Sequence, residues 1–447
     1  MKHSKLSTLI YVTALALPAI AQQDSQPGRT VTAEELWLKL SLSGSRRLLG
    51  LVIAPFNVPS GTNAAVDSNV RLVETVFTAD LAFSLHFTFA QPDTGTHFHF
   101  STDQRRPDLR GWATTGAQVL ICGDLITKRS GHHIQLRLYD LASSRLIATK
   151  LYLLTPSGRW LAHQIADEII KLLTGEDGVS CTRIAFSQAL GQARKELAWV
   201  DYDGAGQTTI TNSGGLKLFP DWSPRGDKIA YSSYGPSSLN VYTLDITSQR
   251  VSTIAERPGL NTTPAYSPDG RKLAVSLSFE GQSEIYVMDA DGRNLRRLTT
   301  SPGIDISPCW DPSGRQIAFV SDRSGTPQIY VMSADGTDIR RITFEGSYNT
   351  SPAWSPRGDL IAFVQRQSDG SNQICVTNIL GDTYMRLTNL RNNEDPCWSP
   401  DGLHIAFASN RTGVWEIYTM DWNGANQRQV TLTGGAFSPT WSPRLLR

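Results

Sequence analysis

The sequence predicts a multidomain α/β plus all-β protein: a small N-terminal α/β domain followed by a six-bladed β-propeller. Three observations carry this reading. Aromatic residues stand at positions 222, 266, 310, 354, 398 and 441, spaced by 44 residues four times and then by 43. The last repeat stops one strand into its unit, and the strands it lacks occur ahead of the first repeat. Residues 46–175 have another texture, with helix-type and strand-type patterns mixed.

Each repeat is built on Pro-x-aromatic-Ser/Asp-Pro, and its aromatic is Trp222, Tyr266, Trp310, Trp354, Trp398 or Trp441. A constant period of 40 to 50 residues is that of a four-stranded propeller blade, so six aromatics predict six blades. After the second proline come tight-turn pairs such as Asp269-Gly270 and Arg357-Gly358, in which glycine takes the positive-φ place. Short β-type runs follow, as in Ile361-Ala362-Phe363 and Ile329-Tyr330-Val331-Met332, and then a further turn such as Asp335-Gly336. A last short run, Arg340-Arg341-Ile342-Thr343 in that unit, leads back to the next Pro-x-aromatic segment.

The array closes on itself. Only four residues follow Trp441-Ser442-Pro443, so the last blade keeps its first strand alone. Arg183-Ile184-Ala185-Phe186-Ser187, Glu196 to Asp201 and Thr208 to Thr211 read as the three missing strands. One C-terminal and three N-terminal strands then complete the sixth blade and leave no free sheet edge. The propeller is placed at 182–447.

In the preceding domain, placed at 46–175, Leu48 to Phe56 reads as a buried strand and Asp67 to Phe83 as a helix with an apolar face at Val70, Val73, Val76, Phe77 and Leu81. Ala117–Gly123, Ile134–Tyr139 and Leu146–Tyr152 read as strands, and Trp160–Leu173 as an amphipathic helix ended by Gly175.

The chain opens with Lys2, His3 and Lys5, an apolar run from Leu9 to Leu17, and Ala19-Ile20-Ala21, the pattern of a secretory signal peptide over residues 1–21. The apolar run is too short to span a membrane, which takes about 20 residues. A soluble, exported chain is expected, with a tail at 22–45. The five cysteines, Cys122, Cys181, Cys309, Cys375 and Cys397, form no C-x-x-C pair and are read as small buried apolar residues, without disulfides.

A formal charge of +1 gives no reason to expect nucleic acid as the main partner. No catalytic or nucleotide-binding signature occurs, so no enzyme activity, cofactor or metal is expected. His97 with His99, and His132 with His133, are the nearest approach to a metal set, and no cysteine or acidic cluster completes them. An exported propeller hydrolase and a general ligand-binding propeller are the rival readings. The hydrolase would need an appended α/β-hydrolase domain, and the chain stops at Arg447 without one.

The joint Thr174-Gly175-Glu176-Asp177-Gly178-Val179-Ser180-Cys181-Thr182-Arg183-Ile184-Ala185-Phe186, the segments Val52-Ile53-Ala54-Pro55-Phe56 and Ala162-His163-Gln164-Ile165-Ala166-Asp167, and the propeller ending in Trp-Ser-Pro resemble the TolB family of the Tol-Pal system. The resemblance implies a monomeric periplasmic adaptor that supports outer-membrane integrity and constriction at division. It implies two partners, a Pal-like lipoprotein bound by the propeller and a TolA-like inner-membrane protein bound by the N-terminus. Carried over residue by residue, the lipoprotein face lies in the loops entering the innermost strands. It comprises Phe219, Asn261, Thr263, Asp305, Ile306, Asn349, Thr350, Glu394, Asp395 and Phe437. The N-terminal partner segment is expected around Trp37, Leu38 and Leu40, where the alternation fits strand addition to a partner or packing on the chain's own domain.

Overall fold

The structure, a computed structural model, describes residues 48–90, 107–191, 193–234 and 238–445. The expected signal sequence, the segment holding Trp37, Leu38 and Leu40, and the His97–His99 pair lie outside the described residues.

The first domain is a five-stranded sheet in the order β2-β1-β3-β4-β5. Its strands are β1 (Leu49–Ile53), β2 (Phe87–Phe89), β3 (Val119–Lys128), β4 (Gly131–Asp140) and β5 (Arg145–Leu153). β1 runs parallel to β2 and β3, and the β3-β4-β5 part is antiparallel. Helices α1 (Ala64–Phe83) and α3 (Gly158–Thr174) bury Val70, Val73, Phe77, Leu161 and Ile165 against one face of this sheet. A short helix α2 (Leu109–Ala113) sets Trp112 against the other face.

Local chemistry explains the element ends. β1 stops at Ile53, earlier than the apolar run suggests, because Pro55 has no N–H to continue a ladder. α1 begins a turn before Asp67, because the Asn63 side chain accepts the Ala65 N–H at 2.9 Å. α3 ends at Gly175, whose φ of 78° lets its N–H donate to the Lys171 carbonyl.

The second domain consists of six four-stranded antiparallel sheets around a tunnel. Sheet six pairs the inner strand Ala436–Trp441 with Arg183–Ala189, then Lys195–Asp201 and Thr208–Thr209. Trp441 stands opposite Ile184, and Thr440 opposite Ala185. The repeated aromatics are buried between blades except Trp310, which is half-buried. Trp310 Nε1 donates to Ala265 O at 3.1 Å and Trp398 Nε1 to Ala353 O at 3.0 Å, so these two indoles also tie their inner strands to the blade before.

A polar clasp recurs at the other end of the blades. In three successive blades a side chain at or next to the start of the third strand accepts a hydrogen bond from a threonine hydroxyl fifteen positions on: Gln328 from Thr343, Gln373 from Thr388, and Glu416 from Thr431. Each member is buried. The clasp satisfies these groups internally and fixes the loop that leads to the next blade.

All five cysteines are free thiols. Cys309 and Cys397 are half-buried and line the tunnel, which departs from the expectation of buried packing residues. They occupy the place between the proline and the aromatic, which faces the ring axis.

Candidate docking face at the tunnel mouth

Strand direction decides what each end of the propeller presents. In every blade the loop into the inner strand and the turn joining the second and third strands emerge at one end, here called the mouth. The turns joining first to second and third to fourth strands emerge at the opposite end. That opposite end carries the α/β domain. Phe83 of α1 stacks on His404 at 3.8 Å and packs against Tyr202 at 4.9 Å. Asp167 of α3 accepts from Arg444 Nε at 3.1 Å, and Glu176 pairs with Arg357 at 2.9 Å. Among the described residues, the α/β domain therefore leaves the mouth clear.

The mouth is shaped by six identical backbone irregularities. Each inner strand has a bulge against its neighbour, as between Leu218 opposite Ser232 and Asp221 opposite Ala230. The residue before each proline has a positive φ: Phe219 at 50°, Thr263 at 48°, Ser307 at 54°, Ser351 at 49°, Asp395 at 51° and Ser438 at 48°. A proline disfavours the right-handed helical region for the residue before it, and the left-handed region costs an ordinary residue about 1–2 kcal/mol. Six such residues in one ring mark a shaped feature, since bulges re-aim side chains.

Hydrogen bonds across blades hold the ring. Asp395 accepts from Ser351 Oγ at 3.1 Å and from Ser438 Oγ at 2.8 Å. Ser232 Oγ accepts the Thr263 N–H, and Ser276 Oγ the Ser307 N–H, both at 3.1 Å.

Behind the ring lies a tunnel cavity of about 420 Å³ whose charged lining residues are Asp221 and Asp395. Burial pushes the Asp221 carboxyl up to about 7, partly opposed by the Tyr266 N–H that it accepts at 2.7 Å. Burial pushes the Cys309 thiol up to about 12, so it is a poor nucleophile at neutral pH. Among the described residues no group of three or more His, Cys, Asp or Glu side chains is arranged to hold a metal. His132 bonds Thr127 Oγ1, and His133 its neighbour Gly131 O, each within the β3-β4 hairpin region.

The ten sequence-derived face residues divide into two groups. Phe219 is exposed, and Thr263, Ile306, Thr350, Glu394, Asp395 and Phe437 are half-buried around the mouth. Asn261, Asp305 and Asn349 are fully buried, which corrects the expectation that their side chains face a partner. They open the inner strands and fold back onto the chain. Asn261 Nδ2 donates to Leu239 O and Arg257 O, Asp305 accepts from Arg323 Nη2 at 2.7 Å, and Asn349 Nδ2 donates to Gln328 Oε1 at 2.7 Å. Their part is to order the mouth loops.

Sequence reasoning missed the apolar residues just ahead of those positions. Leu260, Ile304, Phe344, Leu390 and Leu432 are all exposed, Leu432 to 82%. Their signal was available: an apolar residue in a loop of glycine, asparagine and other polar residues has no core to enter. The densest part lies beside the last blade. There Phe437 and Trp415 pack with centroids 5.6 Å apart, and Lys195 Nζ sits 3.7 Å from the Phe437 ring centre.

Two family models match the chain. The one described as TolB beta propeller domain covers residues 170–445, and the one described as TolB amino-terminal domain covers residues 43–147. The chain belongs to the TolB family. Among curated relatives called Tol-Pal system protein TolB, that of Roseobacter denitrificans is 36% identical over 204 residues, covering 43% of this chain and 45% of the relative. That of Dinoroseobacter shibae is 34% identical over 260 residues, covering 56% and 55%. The chain thus spans about half the length of the curated relatives it matches. Among solved structures, TolB from Acinetobacter baumannii superposes with a TM-score of 0.75 at 27% identity, covering 89% of this chain and 97% of that one. A chain of a nidogen/laminin complex superposes with a TM-score of 0.51 at 12% identity, covering 59% of this chain and 100% of that one, a likeness of fold alone. The α/β domain and propeller of this TolB-family chain are thus the family's own architecture.

Proposed function

We propose that this TolB-family chain is a periplasmic, non-catalytic adaptor of a Tol-Pal system. Its mouth face receives a Pal-like lipoprotein, and its N-terminal segment around Trp37, Leu38 and Leu40 receives a TolA-like inner-membrane protein. In that role it supports outer-membrane integrity and constriction at division.

The observation that carries the lipoprotein half is the mouth itself: a preformed, hydrogen-bonded rim set with exposed apolar side chains, on the end of the propeller away from the α/β domain. Apolar anchors within a polar, pre-ordered surround are what a protein interface requires. What supports the non-catalytic reading is the chemistry of the tunnel, where burial pushes the Cys309 thiol up to about 12 and so makes it a poor nucleophile.

Tagged mature protein recovered from detergent-solubilised envelopes tests both halves. Wild type is expected to retain a Pal-like lipoprotein and a TolA-like protein. Deletion of residues 22–43 is expected to lose the TolA-like protein alone. Recovery of neither partner by the wild type would overturn the reading.

A further inference from the structure

The two domains meet through titratable side chains from which water is excluded. Asp80, near the end of α1, is 1% exposed, and His163 of α3 is 0% exposed. His163 Nδ1 lies 2.7 Å from Asp80 Oδ2. The other oxygen of Asp80 accepts from the hydroxyl of Tyr202, which belongs to the propeller and is also buried. One carboxylate thus serves a histidine of its own domain and a tyrosine of the other.

The far side of the imidazole faces the propeller as well. Asp203 Oδ2 stands 3.7 Å from His163 Nε2 and accepts from Arg159, one turn back along α3. The rings of Trp160 and His163 stand nearly perpendicular, with centroids 6.2 Å apart. Around Tyr202, Arg428 donates to the backbone carbonyl at 3.1 Å and lies over the Phe83 and Tyr202 rings. Phe83 carries the contact on to His404, which is flanked by Asp401 and Asp421.

This arrangement favours a proton on the imidazole. A neutral His163 donating to Asp80 from Nδ1 would turn an unprotonated, buried Nε2 lone pair toward the Asp203 carboxylate. An imidazolium places an N–H there instead, between two carboxylates.

We propose that His163 is a proton-dependent latch between the domains. As imidazolium it bridges Asp80 and Asp203 and fixes the carboxylate that receives Tyr202, and loss of its proton releases the α/β domain from the propeller. Burial alone would lower the affinity of His163 for a proton, but the hydrogen bond and charge of Asp80, aided by Asp203, outweigh it and hold its pKa above the ordinary value, with Arg159 opposing. Burial also raises Asp80, and His163 and Tyr202 offset that only in part. Both shifts have one sign: the docked state binds more protons than the separated one. The His163 contribution to docking is therefore fully present below the ordinary histidine value of about 6.5 and is lost as pH rises from there toward the raised docked value.

Two measurements on the full chain test this. The first is a proton NMR titration of the histidine ring signals, with His163 assigned by comparison with His163→Gln. The second is amide hydrogen exchange at residues 199–204, corrected for intrinsic rates and read as an opening constant between pH 5.5 and 8.5. His163 is expected to titrate above about 6.5, and the opening constant to rise up to about tenfold per pH unit beyond that point, the slope of one proton. In His163→Gln the slope is expected to vanish. A wild-type His163 titrating at or below 6.5, a flat opening constant, or an unchanged slope in His163→Gln would each overturn the latch. If the variant does not fold, the wild-type titration and opening constant decide the matter by themselves.

Discussion

Trp441 and Ile184 face each other across an antiparallel pair, 257 positions apart in sequence, and this pairing closes the propeller. It is reinforced on both sides. Trp441 Nε1 donates to Thr182 Oγ1 at 2.8 Å, and the Arg183 N–H donates to Ser442 Oγ at 2.9 Å while the Ser442 N–H donates back to Arg183 O at 2.8 Å. The ring is locked where the propeller's first and last strands meet, beside the joint to the α/β domain.

Opening that lock should destabilise the whole propeller. Trp441→Ala is expected to cost about 3–5 kcal/mol, the range for removing a large buried aromatic. The midpoint of urea unfolding should fall accordingly. An unchanged midpoint would mean that the closing strand contributes little to the ring.

The tunnel carboxylate gives a pH dependence of known sign. Burial holds Asp221 at about 7 in the folded chain, against about 3.9 for an ordinary aspartate. A raised carboxyl retains its proton on folding, so the stability tied to that proton is present at low pH and is lost as pH rises from about 4 to about 7. Asp221→Asn can still accept the Tyr266 N–H and should remove this slope. Thermal melts at pH 5 and pH 8 should show the variant gaining on wild type at the higher pH. Equal gains at both would place Asp221 in a water-like environment.

The buried residues of the mouth should act through loop order. Asn349→Ala leaves the Gln328–Thr343 clasp without one of its partners and leaves the Glu345 carbonyl with Gln365 Nε2 as its remaining side-chain donor. A loss of about 1–3 kcal/mol is expected, the cost of stranding buried polar groups, together with faster hydrogen exchange over residues 344–348. Unaltered exchange there would detach Asn349 from the loop.

The apolar anchors at the mouth, exposed Leu432 and half-buried Phe437, should act on binding. Leu432→Asp and Phe437→Ala are each expected to weaken capture of a Pal-like lipoprotein at least tenfold. Leu380→Asp should leave capture unchanged, since Leu380 is 66% exposed but lies at the opposite end of a blade. Such contrasts are how a few interface anchors are told from their surroundings. Pull-downs with purified variants measure it.

The propeller was legible because its information is periodic. Trp222, Tyr266 and their four counterparts state the blade length, and the incomplete last repeat requires strands from elsewhere, which Ile184 and its neighbours supply. The mouth was legible only as a position. A loop asparagine such as Asn261 reads as a surface residue, and its burial follows from hydrogen bonds to Leu239 O and Arg257 O that no local pattern announces. β2 and α2 escaped because three and five residues are too short to show a period. The interdomain cluster was hidden for another reason: Asp80, His163 and Tyr202 are brought together from three separate elements across two domains.

The proposed binding of a Pal-like lipoprotein assigns it to one end of the propeller. Photo-crosslinking in intact cells, with the reactive residue placed at position 432 or at position 380, asks this directly. A crosslink to a Pal-like lipoprotein from 432 and none from 380 is the predicted result. A crosslink from 380 with none from 432 would contradict it.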